Sequence, residues 1–191
     1  MPLITTLANS SARGYGGLLA GAGVANSYES IATTTVGSGG SASISFTSIP
    51  STYTHLQIRF IAKSTTGGSG STTTSITFNG NAMTKNHYLY ANGSSVAAGV
   101  GASGDTNNTP LAGYTSIFGA GVIDILEYKN TNINKTIKAL GGYDANGAGE
   151  LALYSNLYAT NTNAITSIGL TLLSGNFVQY SQFALYGIKG V

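Results

Sequence analysis

Two histidines, His55 and His87, and six carboxylates make up the acid–base stock of this chain, which contains no cysteine. General acid–base or nucleophilic work needs such a group with a partner in reach. No Gly-x-Ser-x-Gly elbow and no His-x-x-x-His pair occurs, so neither a hydrolase nucleophile nor a helical zinc site is signalled. His55 shares a polar strand face with Gln57 and Arg59 and reads as an exposed structural histidine. His87 lies within Lys85-Asn86-His87-Tyr88-Leu89-Tyr90, an aromatic loop or short strand in which packing is the simpler role. Glycosidases need two carboxyls roughly 5–10 Å apart across a cleft. Asp124 with Glu127, or Asp144 with Glu150, could come that close only through folding. Asp144-x-Asn146-Gly147-x-x-Glu150 superficially resembles a calcium loop, but it lacks the third acidic position and the twelve-residue spacing such loops use. It reads as a hairpin turn. Gly14-x-Gly16 and Gly119-x-Gly121 precede no strand–helix unit, so they carry no dinucleotide signal. Catalysis, a metal and a cofactor are all unexpected.

The elements that must position these residues are strands. From Ser27 onward apolar residues alternate with polar ones, the period of half-buried strands. Ala42, Ile44 and Phe46 share one face of Ser41–Phe46, as do Leu56, Ile58, Phe60 and Ala62 in Thr54–Lys63. Thr74–Phe78 repeats the pattern. Further strands are expected over Tyr28–Thr35, Val122–Tyr128, Lys135–Tyr143, Glu150–Tyr158, Ile165–Leu172 and Tyr180–Ile188. Asp124 and Glu127 cannot share a face of a regular strand, which suggests a bulge near Leu126. Asn79-Gly80, Asn92-Gly93 and Asn146-Gly147 supply the positive φ angles of tight hairpins. The expected fold is all-β, an antiparallel β-sandwich of jelly-roll type over residues 27–191, with Tyr88–Phe118 as one elaborate loop and an extended arm over residues 1–26.

Charged residues make up only 7% of the chain, against about 25% in ordinary domains. Gly, Ser, Thr and Asn fill roughly half of it, so the outward surface is expected to be hydroxyl, amide and backbone. Such a surface loses little solvation on contact and suits assembly. The eight basic residues are scattered, whereas nucleic-acid binders cluster them. Lys129, Lys135 and Lys138 form the nearest approach to a patch and read as a solvated, guarded strand edge. Gly16–Ala25 is far shorter than the ~20 residues of a membrane span, so no membrane partner is expected.

Two groups of residues stand out as contact candidates. Residues 1–26 show neither strand nor helix periodicity, yet hold Leu3, Ile4, Leu7, Tyr15 and Leu18 with one charge, Arg13. An arm of this kind stays frayed unless something ties it down, so docking on a neighbouring subunit is expected. Tyr88, Tyr90, Tyr114, Tyr154 and Tyr158, together with Tyr143, fall at strand ends or loops. There a ring can bury its face and keep its hydroxyl bonded. As a group they suggest a subunit interface or a sugar platform; singly, each fits core packing.

Ser48-Ile-Pro-Ser-Thr-Tyr-Thr-His-Leu-Gln-Ile-Arg59, Ala164-Ile-Thr-Ser-Ile-Gly-Leu170, Gly175-Asn-Phe-Val-Gln179 and Phe183-Ala-Leu-Tyr-Gly-Ile-Lys189 resemble a family of small virion structural proteins of tailed bacteriophages. Asn9-Ser-Ser-Ala-Arg-Gly-Tyr-Gly16 is similar to a short arm motif of phage tail and fibre proteins. The resemblance implies a non-enzymatic component on the virion surface. One station is capsid decoration, a homotrimer cementing the major capsid protein and stabilising the shell by binding only its assembled form. The other is the tail or a fibre, with tail proteins as partners and a host-surface glycan met by the loop around Tyr88–Phe118.

Overall fold

Alternation over short runs, punctuated by turn residues, favours strands over helices, and no helix forms among the described residues. The structure, a computed structural model, describes residues 27–66, 71–82, 85–100, 109–112, 117–147 and 149–190. The proposed arm, residues 1–26, lies outside them. Thirteen strands run through the described residues. They are β1 (Tyr28–Thr35), β2 (Ser43–Phe46), β3 (His55–Ala62), β4 (Ser71–Phe78), β5 (Asn81–Ala82), β6 (Lys85–Asn92) and β7 (Ser95–Val100). After these come β8 (Thr109–Ala112), β9 (Gly119–Ile125), β10 (Lys135–Asp144), β11 (Gly149–Tyr158), β12 (Ile168–Leu172) and β13 (Gln182–Ile188).

The strands form two antiparallel sheets. The larger has the order β1-β13-β3-β9-β10-β11-β6-β7; the smaller is β2-β12-β4-β5, with β8 also paired to β4. Their facing sides make one core in which Leu56, Ile58, Phe60, Ile123, Phe183 and Leu185 meet Ile44, Phe46, Ile76, Phe78, Ile168 and Leu170. Phe177 packs edge-on against Phe183, with ring centroids 4.9 Å apart. Each fully buried aliphatic or aromatic side chain contributes about 1.5–3 kcal/mol, which is what holds two hydrogen-bonded layers together. The expected β-sandwich is the observed architecture, and Leu56, Ile58, Phe60 and Ala62, expected inward in β3, are all buried; Gln57 on the opposite face is buried as well.

Three expectations are corrected. Tyr88–Phe118 is not one long loop. Its first part completes β6, turns at Gly93 (φ 38°) and returns as β7, so that Asn92 pairs with Ser95 and His87 with Val100. The bulge is not at Leu126: β9 ends at Ile125, and a turn with Glu127 at φ 48° carries the chain away. The register break lies instead in β1, between Ser30 and Ala32. Lys135 is not part of a solvated edge. It is fully buried at the start of β10, an interior strand, and only Lys129 and Lys138 face water.

The hairpin turns sit where Asn-Gly pairs stand. Asn79 and Gly80 take φ 50° and 80° between β4 and β5; Asn146 and Gly147 take φ 61° and 100° between β10 and β11. Asn79 also works at a distance. Its Oδ1 accepts from the backbone N–H groups of Thr166 and Ser167, and its Nδ2 donates to the Ala164 carbonyl. One turn residue thereby pins the segment that leads into β12.

Candidate interaction surface

Successive residues of a strand point to opposite sides of the sheet, so the register determines which residues are neighbours on its outer face. At one level, Tyr186, Gln57, Asp124, Lys138, Ser155 and His87 lie side by side, a polar row. Two residues along, the row reads Ala184, Arg59, Val122, Leu140, Leu153, Leu89 and Ala98. The next contains Gln182, Ile61, Ala120, Gly142, Leu151, Ala91 and Val96. From Ile61 and Val122 to the β7 edge these two rows carry no charge. They are open to solvent: Val96 is 73% exposed, Leu151 57% and Leu153 45%. Shallow depressions cross them between Leu89, Val96, Leu140 and Leu151, and between Val122, Leu140 and Gly142. The outward surface of this part of the sheet is therefore apolar, where hydroxyls and amides were expected.

The β1–β13–β3 part of the same face is polar and internally bonded. Arg59 donates through Nε to the Gln57 Oε1 at 2.7 Å, and Gln57 Nε2 donates to the Asp124 Oδ1 at 2.7 Å. The guanidinium lies 5.7 Å from the Tyr28 ring centroid and 5.6 Å from that of Tyr186. At the adjoining end, Lys189 pairs with Glu29, which also accepts from the Tyr53 hydroxyl at 2.8 Å. These hydrogen bonds hold the Glu29 carboxyl below its ordinary pKa, and Glu29 in turn raises that of Lys189. A face whose polar groups satisfy one another has little left to offer a ligand.

The tyrosines lie on the inner side. Tyr158 is fully buried, donates to the Phe78 carbonyl at 3.2 Å and meets the Phe78 ring edge-on at 5.4 Å. Tyr154 is buried as well; desolvation, aided by the nearby Glu150 charge, pushes its pKa up to about 12. Tyr88 and Tyr90 are half-buried and stack on each other, with centroids 5.9 Å apart. The structure thus brings Tyr88, Tyr90 and Tyr154 together as packing beneath the sheet and leaves Tyr154 and Tyr158 almost no surface for a partner. Tyr114 and the arm residues Leu3, Ile4, Leu7, Arg13, Tyr15 and Leu18 lie outside the described residues.

Most of the remaining candidates have structural partners. His55 Nδ1 accepts from the Glu127 backbone N–H at 2.9 Å, and His87 is exposed in the polar row. Glu127 accepts from Asn130 Nδ2 at 2.8 Å within an open polar cleft lined by Thr54, Lys129 and Asn132. Lys135 donates from Nζ to the carbonyls of Thr162 at 2.8 Å, Ile133 at 2.9 Å and Asn130. One buried ammonium so ties together the β9–β10 and β11–β12 connections. Desolvation lowers its pKa, and the Glu127 charge opposes that shift. Asp144 accepts from the Gly147 N–H inside the hairpin. Among the described residues no three His, Asp or Glu side chains gather to hold a metal, and no helix is long and apolar enough to cross a membrane. The chain matches no family model, and searches of the curated proteins and of the solved structures return no match.

The apolar outer rows were hard to find in the sequence. Leu89, Leu151 and Leu153 stand between residues that also point to apolar surroundings, so the strands lose their alternation. The available signal was that loss itself, in Tyr88-Leu89-Tyr90-Ala91 and Leu151-Ala152-Leu153-Tyr154.

Proposed function

We propose that this chain is a non-enzymatic structural subunit of a virion, of the tailed-bacteriophage kind its sequence resembles, and that it decorates the capsid. The observation that carries this reading is the uncharged apolar face formed by Val122, Leu140, Leu151, Leu153, Leu89 and Val96. Contiguous exposed apolar patches of a few hundred Å² are often functional surfaces. The strand order supports a jelly-roll reading of the core, with β1-β13-β3-β9 facing β2-β12-β4-β8. On that reading β10, β11, β6 and β7 are an added wing, and the wing carries the contact face. Docking on a completed shell removes the face from water and stabilises the shell by linkage, since only the assembled form offers the site.

Particles depleted of the protein and titrated with the purified chain test this. Hundreds of copies per particle are expected at saturation; a few dozen would place it on the tail instead. The double variant Leu140→Glu/Leu153→Glu should remain folded and lose binding, because two buried unpaired charges oppose the contact. Binding equal to wild type would sink the proposal.

A further inference from the structure

The larger sheet ends in two edges built differently. β1 has a register break, and the Glu29–Lys189 pair lies beside it. Such devices discourage a second sheet from joining. β7 has none of them: Ser95-Val-Ala-Ala-Gly-Val100 has no charge and no proline, and it keeps unbroken register with β6 over six paired positions. Among the described residues no strand pairs with its other side. The two-residue hairpin loop makes Asn92–Ser95 a hydrogen-bonded pair, so Ala97 and Gly99 bond toward β6 while Val96, Ala98 and Val100 present N–H and C=O outward. Gly99 leaves room for the Tyr88 ring that lies across it: a β-carbon there would sit 2.4 Å from the Tyr88 hydroxyl oxygen.

We propose that β7 pairs antiparallel with β7 of a second copy, Ala98 opposite Ala98 and Val96 opposite Val100, about a two-fold axis. This rests on the reading of the chain as an assembly subunit and names its first partner. An uncharged edge is complementary to itself, as an isologous contact requires. Area argues the same way. The apolar rows from β9 to β7 cover roughly 24 Å by 14 Å, on the order of 350 Å². That is less than half of the ~800 Å² per partner in a standard interface. Pairing through β7 joins two such faces side by side into one uncharged surface of about 700 Å², close to what a stable contact needs. The edge thus makes the pair, and the pair makes a face wide enough to hold a scaffold.

The test uses the full chain, in sedimentation velocity over a concentration series, with no particle present. Wild type is expected to form a dimer. Ala98→Pro removes an outward N–H without touching the β6 ladder, and should raise the dimer dissociation constant on the order of tenfold or more with an unchanged circular dichroism spectrum. Because the chain has no cysteine, Ala98→Cys gives a single thiol that a short bismaleimide should link into dimers. This readout does not depend on the proline variant folding. A wild-type monomer or trimer, or a dimer that Ala98→Pro leaves intact and Ala98→Cys fails to link, would overturn the two-fold pair. Leu140→Glu/Leu153→Glu should leave the dimer intact, so loss of particle binding and loss of pairing are read separately.

Discussion

Strands β1, β13 and β3 and strands β10, β11, β6 and β7 belong to one sheet, yet they treat water in opposite ways. Both regions bury inner-face residues, although in the second only β10 and β11 are sealed, while Tyr88 and Tyr90 of β6 are half-buried and β7 has no buried residue. On the outer side, the first covers itself with Arg59, Gln57, Tyr28 and Tyr186. The second shows Leu140, Leu151, Leu153, Leu89 and Val96 to solvent. The first region is finished as a monomer surface. The second is left open: among the described residues nothing covers the apolar area it exposes. Low overall charge has no location in the sequence, and the difference between these regions gives the uncharged apolar surface one.

The largest effects should separate core from wing. Phe78→Ala empties a fully buried site between the sheets and is expected to cost about 3–5 kcal/mol in urea unfolding. Leu153→Ser, on the exposed wing face, should stay within about 0.5 kcal/mol of wild type while weakening association. Comparable losses would mean that the wing face is packed in the monomer and would erase the comparison. Next comes the joint between the regions. Lys135→Met keeps the buried stem but strands three carbonyls, and should cost about 2–4 kcal/mol. Faster amide exchange is expected around Asn130, Ile133 and Thr162; exchange unchanged there would show that the ammonium does not tie the two connections.

The smallest effect tests the guarded edge. Glu29 has a folded pKa below its usual 4.5 because Lys189 and Tyr53 donate to it. Its contribution is therefore complete above 4.5 and disappears as pH falls through the lowered folded value. The melting difference between wild type and Glu29→Gln should shrink as pH falls below 4.5. A difference that is flat in pH would detach the Glu29 charge from the stability of β1.

Strands with one dry and one wet side were legible, because alternation is visible wherever the two sides differ. Tyr28–Thr35 matches β1 end to end, and β3, β10 and β11 fall within a residue or two of their expected limits. β6 is only half expected, as an aromatic loop or short strand over Lys85–Tyr90, and β7 is not expected, although Asn92-Gly93 marks their turn. With Tyr88 and Tyr90 inside and Leu89 and Ala91 outside, no period of two remains. The contact candidates fared unevenly for a similar reason. Tyrosine is amphipathic and suits a core as well as an interface, and only the register puts Tyr154 and Tyr158 on the inner face.

Composition and spacing were enough to establish an all-β sandwich with little charge and with turns at its Asn-Gly pairs, because backbone geometry and side-chain alternation are local properties. Which apolar residues lie inside is not local. Leu56 and Leu153 are the same residue type in strands of the same sheet, one sealed and the other half in water. Pairing between strands far apart in sequence settles which side of the sheet each one faces. It also turned a diffuse shortage of charge into one apolar face and one unguarded edge, since neighbours across a sheet are set by register and not by sequence distance.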